Sequence, residues 1–89
     1  MSVMMISEVG GQSPQGYDGM LALVGDVLRQ VPGFIMHISH PVAVGWRIVE
    51  VWNSEEEATR FFAAQIAPNL PDGIRPKLSF QPLHGLLKP

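Results

Sequence analysis

The sequence predicts an α+β fold, a four-stranded antiparallel sheet with two helices on one face, in the order β-α-β-β-α-β. Three observations predict it. Four short segments rich in Val, Ile, Met and aromatic residues are bounded by Gly, Pro and Asn turn signals. Two segments with apolar residues at helical spacing separate the first strand from the second and the third from the fourth. The strand segments are apolar at both parities, so both faces of the sheet are expected to be covered.

The first strand is Val3 to Glu8, with Val3 and Met5 on one face, Met4 and Ile6 on the other, and "GGQSP" as the turn after it. Ser13 then serves as N-cap and Pro14 as the first helical residue. Tyr17, Met20, Leu21, Val24, Leu28 and Val31 form one stripe of this helix, which "VPG" stops. Gly16, Gly19 and Gly25 each cost about 1 kcal/mol against alanine in a helix interior, so packing must hold it. "FIMHISH", Phe34 to His40, is the second strand and Gly45 to Trp52 the third, antiparallel across the turn "PVAVG". Asn53 or Ser54 caps the second helix. Ser54 with Glu57 makes a capping box, and Glu55 to Glu57 suit the positive end of the helix dipole. Ala58, Phe61, Phe62 and Ile66 form its buried stripe to about Ala67, where Pro68 ends or bends it. Leu78 to Leu83 is the last strand, which Pro82 marks as an edge strand or as leaving the sheet. This order is the split βαβ, ferredoxin-like arrangement. Two helices cover one face only, and the apolar second face is expected to pack on another subunit's sheet.

The 89 residues are expected to form one domain, residues 1–89, that buries only about 60–65% of its unfolded surface, which favours oligomerisation. The net charge is −2 and the six basic residues are scattered, which argues against nucleic acid or an anionic membrane as partner. With no cysteine there is no disulfide framework, thiolate nucleophile or Cys-type zinc site. "MSVMMISE" lacks a basic n-region and an apolar run of export length, and nothing approaches the roughly 18 apolar residues of a membrane span. A cytoplasmic location is expected. Nucleotide cofactors and serine-hydrolase chemistry are disfavoured, since no G-x-G-x-x-G, P-loop or nucleophile elbow occurs.

The third strand and the helix start, "VEVWNSEEEATRFF", carry Glu50 two residues before Trp52, then Ser54 and an acidic first turn. This stretch resembles the dimeric α/β-barrel superfamily and, within it, the antibiotic biosynthesis monooxygenase-like proteins. The resemblance covers nearly the whole chain in topology, while its residue-level signal is confined to Gly45 to Phe62. It implies a homodimer that pairs sheets face to face, with a pocket between the sheet and the helices of each subunit. The superfamily includes cofactor-free oxygenases of aromatic polyketides, haem-degrading enzymes, isomerases and polyketide cyclases. Haem-degrading relatives use a histidine on the second helix; this one has none, so haem is disfavoured.

Trp46, Ile48, Glu50 and Trp52 share one face. With the turn centred near Ala43, Phe34, Met36 and His40 join them, while His37, Ser39, Arg47 and Val49 take the other face. A slip of one residue exchanges the two sets. Glu50, flanked by valines, is costly to bury unpaired. It reads either as a general base or as an ion-pair partner of Arg47 from a second subunit or of Arg60. His37, His40 and His84 are candidates for shuttling a proton to a bound phenol or enol, against the alternative of hydrogen-bonded structural histidines. His37 and His40 point to opposite faces and cannot chelate one metal; a site would need His84 with Glu50 or Asp18, and no metal is expected. Trp52, Tyr17, Met36, Phe62 and Gln65 are candidate ligand contacts, each of which also reads as ordinary core or cap, and Trp46 as rim or dimer contact.

Two functions follow. One is a small enzyme that acts, without a tightly bound cofactor, on an apolar aromatic or polyketide-like metabolite, by monooxygenation or by a proton-transfer cyclisation or isomerisation. The other is a non-catalytic dimeric domain that binds a ligand or serves as a scaffold.

Overall fold

The computed structural model of the chain describes residues 2–89, and their elements follow the expected order. They are β1 (Val3–Gly10), α1 (Pro14–Gln30), β2 (Phe34–Val42), β3 (Gly45–Trp52), α2 (Glu55–Phe61) and β4 (Lys77–Pro82). The sheet order is β2-β3-β1-β4 with every neighbouring pair antiparallel, the ferredoxin-like arrangement.

Local chemistry sets the helix starts. Ser13 Oγ accepts from the Gly16 N–H at 3.0 Å and Pro14 stands in the first turn of α1. Ser54 Oγ accepts from the Glu57 N–H at 3.2 Å and donates to the Glu57 carboxylate at 2.9 Å. The second helix changes character where a single α-helix to Ala67 was expected. After Phe61 it widens into a π-helical segment, Phe62–Ile66, then tightens into a 3₁₀ turn, Ala67–Asn69. Pro68 supplies a reason: it has no N–H to donate and its ring crowds the carbonyl four residues back.

Met5 of β1, Trp52 of β3, Val24 and Leu28 of α1, and Ala58 and Phe61 of α2 form the buried core on the helix side. Trp52 is 0% exposed and meets Phe34 edge-on and Phe61 at a tilt, at centroid distances of 5.6 and 5.7 Å.

The register of the β2–β3 hairpin differs from the expectation. Phe34 pairs with Trp52, but Met36 pairs with Val51, His37 with Glu50 and His40 with Arg47. A bulge between Phe34 and Met36 adds one residue to β2. β2 also runs on to Val42, so the turn is only Ala43 and Val44. Phe34 therefore keeps the face assigned to it, whereas His37 and Ser39 exchange faces with Met36 and His40.

The face away from the helices is built in cross-strand rows. Lys77, Glu8, Arg47 and His40 form a charged row, followed by Ser79, Ile6, Val49 and Ile38, then Gln81, Met4, Val51 and Met36. Arg47 Nη2 donates to Glu8 at 3.3 Å and its Nε donates to the same carboxylate, which lowers the Glu8 pKa through that hydrogen bond first. Both side chains are more than two-fifths exposed, so the pair contributes little to stability. Arg47 thus pairs with Glu8, and Arg60 with Glu56 at 2.6 Å; neither is the partner of Glu50.

Gly10 and Gly45 face each other where β1 and β3 end. A Cβ on Gly45 would lie 2.1 Å from the Val9 carbonyl oxygen, a backbone atom that cannot swing aside. Gly45→Ala is expected to cost about 1–3 kcal/mol, as overpacking does, read as a lower urea midpoint. An unchanged midpoint would show that the strand ends separate freely.

Candidate active site

Glu50 lies in the middle of β3, opposite Met5 on β1 and His37 on β2. Its residue exposure is only 6%, so the carboxylate needs partners of its own. It has two. His37 Nδ1 lies 2.7 Å from Oε2, and the Trp52 indole N–H donates to Oε1 at 2.9 Å. The other imidazole nitrogen, Nε2, is 2.5 Å from the Tyr17 hydroxyl. Ser13 and Pro14, which fix the start of α1, place Tyr17 in its first turn above the sheet.

Burial is the main cause that raises the Tyr17 pKa, against a lowering effect of the nearby Ser39 hydroxyl, and the Glu50 charge adds to the rise. The phenol is therefore protonated and donates to His37 Nε2. The Nδ1–H in turn donates to the Glu50 carboxylate, the tautomer that leaves Nε2 to accept from Tyr17. The result is one polarised chain, Tyr17 to His37 to Glu50, tied off by Trp52. The Tyr17 ring also stacks on Trp46 at 5.0 Å and 20°, and the Trp46 indole Nε1 is buried with no hydrogen-bond partner.

The chain faces a cavity between sheet and helices, with about 60 Å³ open to the centres of water-sized spheres. That holds a few water molecules. Its walls are mostly apolar, from Met5 and Val9 on β1, Met20 and Val24 on α1, Ile48 on β3, and Phe62 and Ile66 at the end of the second helix. Tyr17, His37 and Glu50 contribute its polar strip.

Of the residues singled out from sequence, Tyr17, His37, Glu50 and Phe62 meet at this cavity. Trp52 does not line it, in contrast to the expectation; it is core, and reaches the site through its indole N–H. Met36 and His40 are on the opposite face because of the two-residue turn, and the His40 ring bonds the Pro41 carbonyl. Gln65 is outside the lining; its main-chain oxygen accepts from Asn69 at 2.7 Å. His84 follows β4 and is exposed. Of two small polar residues near the site, Ser7 went unremarked in the sequence and Ser39 was assigned only a face. Ser7, 3% exposed, lines the cavity, and Ser39 neighbours Tyr17. The parity of Ser7 with Met5 and Val9 was its available signal. Trp46 packs on Tyr17.

Tyr17 is the sole tyrosine of the sequence, so its ionisation can be read directly. The folded-state pKa lies above that of the unfolded chain. Its contribution to stability is complete below about pH 10 and is lost as pH rises through the folded value. The tyrosinate absorbance is expected to rise only above pH 10 while circular dichroism still reports a folded chain. A midpoint at or below the value of free tyrosine would contradict this burial.

No protein-family model matches the chain, and no curated protein matches its sequence. Solved structures do share its fold. SnoaB, a cofactor-independent oxygenase from Streptomyces nogalater, superposes with a TM-score of 0.72 at 16% identity, over 97% of this chain and 96% of that one. A protein assigned to the antibiotic biosynthesis monooxygenases from Deinococcus radiodurans gives 0.66 at 13% identity, over 99% and 97%. The monooxygenase from the gene ActVA-Orf6 of Streptomyces coelicolor, in complex with nanaomycin D, gives 0.55 at 22% identity, over 99% and 91%. The fold is thus that of the antibiotic biosynthesis monooxygenase-like proteins.

Proposed function

We propose that the chain is a small-molecule enzyme acting on an apolar aromatic or polyketide-like metabolite without a tightly bound cofactor. The observation that carries this reading is the Tyr17–His37–Glu50 chain facing an apolar cavity. A phenol or enol bound there donates its O–H proton to the Tyr17 oxygen as Tyr17 passes its own proton to His37 Nε2. The imidazolium so formed is stabilised by the Glu50 carboxylate, which Trp52 holds in place. This is the logic of a base oriented by a buried carboxylate. The substrate is left as an enolate with carbanion character. It reacts with dioxygen to a hydroperoxide that loses water as its carbon becomes a carbonyl, so a substrate CH₂ carbon supplies all four electrons and the second oxygen atom leaves as water. Otherwise it is reprotonated, or attacks internally, in an isomerisation or cyclisation. The fold shared with a cofactor-independent oxygenase supports the first outcome.

The face made by Ile6, Val49, Ile38, Met4, Val51 and Met36 supports a homodimer pairing sheets. Ile38 is 57% exposed there in the single chain, and light scattering at micromolar concentration is expected to return the mass of two chains. No described helix is long and apolar enough to cross a membrane.

The experiment incubates the purified protein with a panel of hydroxylated polycyclic arenes under oxygen and follows oxygen uptake and product mass. A parallel anaerobic arm in deuterated water follows exchange at enolisable carbon. Uptake with a product that has gained one oxygen and lost two hydrogens supports oxygenation, and exchange alone supports isomerisation. Saturable binding with neither would replace this reading with the non-catalytic ligand-binding domain.

A further inference from the structure

We propose that Tyr17 is also a redox-active phenol, which gives up one electron to an oxidising radical while its proton moves to His37. The inference is separate from turnover of a phenol in the cavity and stands on three observations. A base lies 2.5 Å from the hydroxyl, and its far side is anchored on the Glu50 carboxylate at 2.7 Å. Removing an electron makes a phenol strongly acidic, so a partner already hydrogen-bonded to it lets electron and proton leave together, without a high-energy cationic intermediate. Second, the Trp46 ring stacks on the phenol at 5.0 Å, close enough to exchange electrons with it. The Trp46 N–H is buried and has no acceptor, so an electron hole on that indole has nowhere to send its proton and passes to Tyr17. Third, the cavity wall beside the phenol is mostly apolar, which shields a phenoxyl radical from water.

The step balances simply. The oxidant, by class an organic peroxyl radical of the kind formed when oxygen adds to a carbon radical, gains one electron and becomes a peroxide anion. Tyr17 becomes a neutral phenoxyl radical. Its proton rests on His37 Nε2, and the imidazolium retains its Nδ1–H bond to Glu50. Trp52 is the competing donor, since its N–H also meets the Glu50 carboxylate, but it is buried away from the cavity lining.

The test uses the full chain and flash-generated tris(bipyridine)ruthenium(III) as the one-electron oxidant, with transient absorption and freeze-quench electron paramagnetic resonance as readouts. The expected product in the unaltered protein is a phenoxyl signal that is lost in Tyr17→Phe and forms more slowly in deuterated water. His37→Phe, checked for folding by circular dichroism, is expected to leave the radical on an indole. An indole radical as the stable product of the unaltered chain would overturn the proposal. So would a phenoxyl that forms at the same rate in light and heavy water, a result that needs no variant to fold. Neither outcome bears on whether the cavity turns over a phenol.

Discussion

Trp52→Ala is expected to leave the chain largely unfolded at 25 °C. The indole is 0% exposed, wedged between Phe34 and Phe61, and its removal opens a cavity at the centre of the core. Truncating a buried Trp to Ala costs about 3–5 kcal/mol. The Glu50 oxygen that accepted the indole N–H is left unsatisfied, adding about 1–3 kcal/mol. The sum rivals the whole stability of a small domain, about 5 kcal/mol at the low end. Trp52→Phe separates the two contributions, since it keeps most of the packing and loses the hydrogen bond. It is expected to fold with a lower urea midpoint. A cooperative, near-normal unfolding curve for Trp52→Ala would show that the core does not depend on this ring.

Glu50→Gln is expected to reduce proton-transfer activity by on the order of 10⁴-fold, the scale on which a serine-protease triad responds when its carboxylate becomes an amide. Two N–H groups converge on this carboxylate, from His37 and from Trp52. An amide offers one oxygen and one NH₂, so it cannot accept both. The low-energy arrangement turns the oxygen to Trp52 and the NH₂ to His37 Nδ1. The histidine then carries its proton on Nε2 and presents a donor to Tyr17. Every hydrogen bond survives and the direction of proton flow is reversed, so the variant is expected to fold. Activity within about tenfold of the parent in a folded Glu50→Gln would remove the carboxylate from the mechanism, since general-base contributions run to about 10²–10⁴-fold.

The elements were legible because their signals are local. Ser13-Pro14, Ser54 with Glu57, and the glycines and prolines between strands act within a few residues, and each lies where an element starts or stops. Glu50 was legible as well, because a carboxylate between two valines on a buried strand demands an explanation. Its partner was not. Whether His37 or His40 faces Glu50 turns on one extra residue between Phe34 and Met36 and on a turn of two residues, and the sequence "FIMHISHPVAVG" has no glycine or proline at Phe34 to Met36 that announces a bulge. The bulge is imposed by the match of β2 to the rest of the sheet, a non-local constraint. The role of Tyr17 was half visible. Helical spacing placed its ring inward, but its hydroxyl partner comes from a strand 20 residues away. Trp52 was misplaced on the cavity wall for a related reason. Parity assigns a face of the sheet, and that face carries both solid core and cavity.

The same bulge bears on how the sheet ends. With the order β2-β3-β1-β4, the outward edges of β2 and β4 each present unpaired backbone groups onto which a further strand could add. β2, nine residues long with two isoleucines and a phenylalanine, is the more exposed to fibril-like growth. The bulge breaks its straight run near one end, and Pro41, which has no N–H, breaks it near the other. β4 is shorter, begins with Lys77 and ends with Pro82. Both edges are therefore poor templates for edge-to-edge addition, which leaves the broad apolar face of the sheet as the surface for the homodimer proposed above.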